Sequence, residues 1–171
     1  MLKQFFPGEY LDSIYQIDFE ALFQEGYRGL LFDVDNTLVP HGAPADKEII
    51  TLFQKLHELG FQTRLLSNNK EPRVRSFCEQ VGGTYCYKAG KPSPKSYIEG
   101  MKTLQTSQKN TIFIGDQIFT DIWGANRAGI RTILVRPIHP KEEIQIILKR
   151  IPEKLILHFY RKHRLRGGDC K

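Results

Sequence analysis

Four short segments hold the chain's most chemically versatile side chains: Asp33-Val34-Asp35-Asn36-Thr37, Ser67-Asn68-Asn69, Gly90-Lys91-Pro92, and Gly115-Asp116 with Asp121 five residues on. Between them they supply four carboxylates, a serine hydroxyl and a lysine ammonium. Carboxylates gathered at one point repel, because like charges disfavour mutual ionisation. A cation must offset that repulsion. Oxygen ligands drawn from several loops suit Mg²⁺, which keeps some waters and accepts phosphate oxygens as well. Beside such an ion a carboxylate stays ionised and can attack phosphorus, so Asp33 is a candidate nucleophile that would carry an aspartyl-phosphate. Asp35, on a turn just beyond, can protonate a departing alkoxide and then deprotonate water. Ser67 and Asn68 can donate to phosphoryl oxygens. Lys91 can neutralise both the phosphoryl group and the nucleophile.

The elements that would position these residues are legible around them. Residues 29–34 (GLLFDV) read as a strand, as do residues 61–66, 83–87, 111–114 and 131–135. Helical periodicity separates them. Ile49, Leu52, Phe53, Leu56 and Leu59 recur at helix spacing over residues 45–59, with Gly60 as a stop. Val74, Phe77, Cys78 and Val81 share a face over residues 71–81. Ser93-Pro94 reads as an N-cap and first helical position ahead of Tyr97, Ile98, Met101 and Leu104. Residues 120–128 read as a further helix ended by Gly129. Five strands alternating with helices specify a three-layer, doubly wound, Rossmann-like α/β fold with a parallel sheet. In such sheets ligands bind beyond the C-terminal ends of the strands, which is where all four segments lie.

Composition agrees with a folded domain: 40% of the 171 residues are hydrophobic and 26% charged. No apolar run approaches the roughly 18 residues of a membrane-spanning helix. The opening MLKQFFPGEY has no basic segment followed by an apolar stretch, so a cytoplasmic location is expected. Three cysteines without a C-x-x-C pair argue against disulfides or structural zinc, and the five histidines form no ligand cluster. His41 and Arg73 lie near loops that could approach the rim. The net charge of +6 resides entirely in residues 149–171, where eight basic residues meet two acids. The expected organisation is a phosphotransfer domain over residues 1–148, with 1–28 as an extension packed on it, followed by a basic amphipathic tail over 149–171.

Taken in order, Asp33-x-Asp35-x-Thr37, Ser67, Lys91 and Gly115-Asp116 with Asp121 resemble the four motifs of the haloacid dehalogenase (HAD) superfamily. The resemblance implies Asp33 as nucleophile and Asp35 as acid/base that also offers its backbone carbonyl to Mg²⁺. It implies Asp116 as a metal ligand supported by Asp121, and Ser67 and Lys91 as phosphate-binding residues. The second carboxylate at Asp35 favours a phosphatase over a dehalogenase. Phe6-Pro7, Ser13-Ile14, the stretch from Leu31 to Val39, Ser67-Asn68-Asn69, Ala89-Gly90-Lys91-Pro92 and Gly115-Asp116-Gln117 with Thr120-Asp121 are similar to the YqeG family. That family resembles mitochondrial and plastid phosphatases of phosphatidylglycerophosphate, which implies that substrate here and phosphatidylglycerol as product.

Only 31 residues separate Asp35 from Ser67, and 23 separate Ser67 from Lys91. A helix and a strand consume each interval, so no cap domain is expected. An open rim can accept a phosphate carried on a large body. The tail points the same way: Pro152 would open a last helix, and Leu155, Ile156, Leu157, Phe159 and Tyr160 precede Arg161, Lys162, Arg164 and Arg166. Such a segment can lie on the anionic inner face of a membrane. Two alternatives stand beside the lipid reading: a nucleic-acid end phosphatase, and a non-enzymic adaptor binding RNA or membrane through the tail.

Overall fold

The computed structural model describes residues 2–139 and 144–167. Its strands are β1 (Glu9–Leu11), β2 (Gly29–Phe32), β3 (Gln62–Leu66), β4 (Thr84–Cys86), β5 (Thr111–Gly115) and β6 (Arg131–Val135). The helices are α1 (Phe19–Gln24), α2 (Lys47–Leu59), α3 (Glu71–Val81), α4 (Lys95–Thr103), α5 (Trp123–Arg127) and α6 (Ile144–Gly167). All strand pairings are parallel, in the order β1-β6-β5-β2-β3-β4. Strand β2 lies between β3 and β5, so the connections run outward from it in opposite directions. The cleft beyond its C-terminal end is the topological switch point.

The central strands GLLF and TIFIG are buried along their whole length, as both faces of the sheet are covered. Alternate residues divide between two cores. Phe32, Ile112 and Ile114 meet Ile49, Phe53 and Phe77 from α2 and α3 on one face. Leu31 and Phe113 meet Tyr97, Met101 and Ala125 from α4 and α5 on the other. Helix α2 begins where Asp46 Oδ1 accepts the Ile49 N–H at 2.8 Å and ends at Gly60, whose φ of 100° suits glycine.

The three-layer parallel fold agrees with the sequence reading, with three differences. The sheet has six strands rather than five. Strand β1, half-buried throughout, shows no apolar alternation and is held by backbone bonds to β6, such as Arg136 N–H to Leu11 O at 3.0 Å. The segment after β5 opens as a π-helical turn, Ile118–Ile122, before α5. Helix α6 does not start at Pro152 but at Ile144, with Pro152 inside it, and it runs through the 148/149 charge boundary. Tail residues 168–171 lie outside the described residues. No cap domain interrupts the sheet among the described residues, and none of their helices is long and apolar enough to cross a membrane.

Candidate active site

The site is assembled from four strand ends. Asp33 directly follows β2, and its N–H bonds to Ile114 O at 2.9 Å, which carries the β2–β5 pairing one residue further. The chain then turns sharply. Leu38 N–H bonds to Val34 O at 2.9 Å, and Asn36, at φ 65°, donates its N–H to Val39 O at 2.7 Å. A left-handed backbone is tolerated by asparagine better than by most residues.

On the neighbouring strand, Asp116 follows β5 and Asp121 sits on the π-helical turn. Asp121 Oδ2 accepts the N–H groups of Asp116 and Gln117 at 3.2 and 3.1 Å. Gly115 makes this possible: a Cβ there would stand 2.6 Å from Asp121 Oδ2. Tyr97 supports the turn from below, its hydroxyl donating toward Thr120 O at 2.9 Å. It fits because Gly124 has no side chain; a Cβ there would lie 2.6 Å from the Tyr97 hydroxyl oxygen.

Asp33, Asp116 and Asp121 are all buried, and each offers a carboxylate oxygen within 4.8 Å of the others'. Lys91 reaches into this group. Its Nζ lies 2.6 Å from Asp33 Oδ1 and 2.7 Å from Asp121 Oδ1. The Asn68 side chain fixes the lysine's backbone, accepting from Lys91 N at 2.9 Å and donating to Lys91 O at 3.1 Å. Asn68 was expected to donate to phosphate; one of its two Nδ2 protons goes to Lys91 O, which leaves the other for that role. Thr37 Oγ1, 2.9 Å from Asp33 Oδ2 and 3.2 Å from Asp116 Oδ1, donates to one or the other. Ser67 is buried at the end of β3. Its Oγ accepts the Asn69 N–H at 3.1 Å, which leaves the hydroxyl proton for another acceptor.

The carboxylate of Asp35 does not join the other three. It accepts from Gly42 N at 2.8 Å, Arg73 Nη2 at 3.0 Å and Asn69 Nδ2 at 3.3 Å. The turn at Asn36 sets its direction. Of the two residues read as lying near the rim, Arg73, in the first turn of α3, meets a site residue, while His41 is exposed.

Burial dominates the electrostatics. It pushes the Asp33 carboxyl up, to about 6, although Lys91 and the Thr37 hydroxyl favour its ionised form. Burial alone would lower the Lys91 pKa, but Asp121 and Asp33 outweigh it and hold the ammonium charged. Burial would also raise Asp35, yet the Gly42 N–H, Arg73 and Asn69 together hold it below the usual carboxylate range. Three buried carboxylates gather around one buried ammonium. An oxygen-only donor set of this kind fits a divalent hard cation.

Sequence reasoning gave no role to Glu153. This buried carboxylate on α6 accepts the Ile118 N–H at 2.7 Å and so ties the helix to the turn that carries Asp121. It is the one acid among the basic residues from Lys149 to Arg166, and that isolation was the available signal.

Comparison with known proteins bears on this geometry. Residues 88–144 match a family model described as HAD-hydrolase-like. Over 159 residues, 92% of each chain, the sequence is 36% identical to the probable phosphatase YqeG of Bacillus subtilis (strain 168). This chain belongs to the YqeG family of HAD-type phosphatases. It is accordingly a phosphoric monoester hydrolase. This YqeG-family chain is also 25% identical over 168 residues to phosphatidylglycerophosphate phosphatase 1, chloroplastic/mitochondrial, of Arabidopsis thaliana. That match covers 91% of this chain but 48% of the plant protein, about half its length. Two solved structures share the fold. One is the cobalt-bound deoxy-D-mannose-octulosonate 8-phosphate phosphatase of Haemophilus influenzae, with a TM-score of 0.53, 16% identity, and coverage of 65% of this chain and 69% of that one. The other is an uncharacterized protein from Listeria monocytogenes serotype 4b, with a TM-score of 0.54, 18% identity, and coverage of 68% and 84%.

Proposed function

We propose that this protein hydrolyses phosphomonoesters through a phosphoryl group carried on Asp33, with Mg²⁺ as cofactor and phosphatidylglycerophosphate as the preferred substrate. The observation that carries the reading is the buried group of Asp33, Asp116 and Asp121 with Lys91 Nζ 2.6 Å from Asp33. Asp33 and Asp116, supported by Asp121 and by the Asp35 backbone carbonyl, would hold the ion. When bound it supplies positive charge beside the phosphoryl oxygens and keeps Asp33 ionised. In the first step an Asp33 carboxylate oxygen bonds to phosphorus as the ester P–O bond breaks, and the departing alkoxide takes a proton from Asp35. In the second, water attacks the same phosphorus and gives a proton to Asp35. Inorganic phosphate leaves and the Asp33 carboxylate is restored. Lys91 and Ser67 balance and bond the phosphoryl oxygens. Arg73 holds Asp35 as a carboxylate before substrate binds, so the proton that Asp35 gives to the alkoxide is first taken from the substrate's phosphoryl hydroxyl, or kept from the water of the preceding turnover, as the leaving group displaces Arg73.

The lipid substrate draws support from the similarity to the Arabidopsis enzyme and from α6. Glu153, Ile156 and Tyr160 face the domain and are buried, while Ile151, Leu155 and Phe159 form an outward stripe with exposures of 69%, 58% and 41%. Lys154, Arg161 and Lys162 are exposed around it. An apolar stripe edged by cations suits peripheral contact with an anionic bilayer at the inner face of the membrane, each basic residue near the surface adding about 1 kcal/mol.

The test is phosphate release from lipid, nucleotide and sugar phosphates, with Mg²⁺ and with chelator, by the wild type and Asp33→Asn. Mg²⁺-dependent release from phosphatidylglycerophosphate that Asp33→Asn abolishes is expected. Metal-independent release, or preference for nucleic-acid ends, would overturn the reading. Vesicle co-sedimentation of the Ile151→Ser/Leu155→Ser/Phe159→Ser variant tests the stripe, and undiminished binding would remove it.

A further inference from the structure

A cavity of about 980 Å³ adjoins the site. Thr37 and Asp116 line its inner end, and α6, through Glu153, Lys154 and Leu157, forms one wall. Its charge is polarised. Asp46 and Glu48 stand together at one part of the wall, beside the Tyr15 hydroxyl, which burial and then these two acids push up to about 12. Arg136 and Lys154 stand at another part. A second cavity of about 500 Å³ shares Tyr10, Asp12, Arg136, Lys154 and Leu157 with the first and adds His158 and Arg161. This basic end therefore gathers three permanent cations against one carboxylate, Asp12. Neither Arg136 nor Lys154 forms an ion pair among the described residues. The cavity is also lined by the apolar side chains of Ile118, Leu134 and Leu157.

We infer that the Arg136–Lys154–Arg161 end is a binding subsite for a second anionic phosphate on the substrate, a phosphodiester carried by the leaving alcohol. This rests on the phosphatase reading above and deepens it. Arg136, Lys154 and Arg161 are exposed at the open end of the cavity, where guanidinium and ammonium groups bind phosphate oxygens by charge-assisted hydrogen bonds. The acidic part of the wall repels the same group, so the cavity fixes which way a doubly phosphorylated substrate lies. The apolar part of the lining suits the carbon skeleton that joins the two phosphates. A volume near 1,000 Å³ is at the upper end of the usual range for a small-ligand pocket, about 300–1,000 Å³. A bis-phosphorylated glycerol backbone is accommodated without a cap. The exposed stripe on α6 adjoins the basic end, so fatty chains on such a substrate could remain in a bilayer.

The test compares two soluble phosphomonoesters: deacylated glycerophosphoglycerophosphate, which carries the phosphodiester, and glycerol 3-phosphate, which does not. For the full chain, kcat/KM is expected to favour the first at least tenfold. Arg136→Gln/Lys154→Gln should lower that ratio about tenfold, mainly through KM, and Arg136→Lys/Lys154→Arg should keep most of it. Calorimetric binding of glycerophosphoglycerol, which has only the phosphodiester, gives a readout that needs no turnover. Wild-type binding that the double glutamine variant loses supports the subsite. An unchanged ratio, or equal binding by wild type and variant, overturns it. Loss of turnover on both esters with glycerophosphoglycerol binding intact would refute the phosphatase reading and leave the subsite standing.

Discussion

Replacing Lys91 with methionine keeps most of the side chain's volume and removes its charge. The ammonium lies 2.6 and 2.7 Å from two buried carboxylates. At an effective dielectric of about 20, each contact is worth roughly 6 kcal/mol of attraction. Desolvating the ammonium offsets several kcal/mol of that sum. Breaking a buried pair by removing one partner typically destabilises by about 3–5 kcal/mol, because the partner charge stays behind. For a chain of this size that is a fall in melting temperature of roughly 10 °C. Divalent cation should reverse much of it, since Asp33, Asp116 and Asp121 remain as ligands and have lost their internal counter-charge. Lowering the pH should shrink the deficit too, because protonating a carboxylate removes the repulsion. Thermal unfolding of wild type and Lys91→Met, each with chelator and with Mg²⁺, reads all of this. Mg²⁺ should raise the variant's melting temperature more than the wild type's while its turnover stays depressed by about 100-fold or more. A variant that melts within about 2 °C of the wild type in chelator would refute the electrostatic reasoning.

Three further substitutions probe the supports of the site. Arg73→Ala removes a 3.0 Å partner of Asp35 and should cost about 1–2 kcal/mol at neutral pH, measured by urea unfolding. Because the folded Asp35 pKa is depressed, that contribution is present above the ordinary carboxylate pKa and is lost as pH falls through the folded value. Wild type and variant should therefore converge in strong acid, and a gap that persists there would count against the pairing. Gly115→Ala places a Cβ 2.6 Å from Asp121 Oδ2; a loss of about 2 kcal/mol and weaker Mg²⁺ binding by calorimetry are expected, and unchanged metal affinity would argue against the close packing. Glu153→Ala strips the acceptor from the Ile118 N–H, and should lower stability by about 1–3 kcal/mol together with metal affinity. Reduced stability with unaltered metal affinity would confine Glu153 to holding α6 in place.

Much of the site was legible because its residues follow strand ends, and strands as apolar as GLLF and TIFIG announce themselves. Their successors, Asp33 and Asp116, could then be placed at one rim from sequence order alone. What the sequence concealed depends on direction rather than position. Asp35 sits two residues from Asp33, but the left-handed turn at Asn36 sends its carboxylate to Arg73 and Gly42. Asn68 occupies an expected phosphate-binding position, and its reciprocal bonds to the Lys91 backbone give it a second task that its place in the sequence does not reveal. Strand β1 was hidden because three half-buried residues carry no periodic signal, and their pairing is fixed by β6 across the whole length of the chain. The basic segment from Lys149 read as an amphipathic tail, and nothing in its local pattern says which of its apolar residues, Ile156 and Tyr160 among them, are buried against the domain.

The most direct measurement is acid-quenched mass spectrometry of the protein during turnover of a phosphomonoester with Mg²⁺. An acid-stable, hydroxylamine-labile phosphoryl group on the peptide containing Asp33, absent from Asp33→Asn, is the expected result. Sustained turnover by Asp33→Asn, or a phosphoryl group on any other residue, would contradict the assignment of Asp33 as the group that attacks phosphorus.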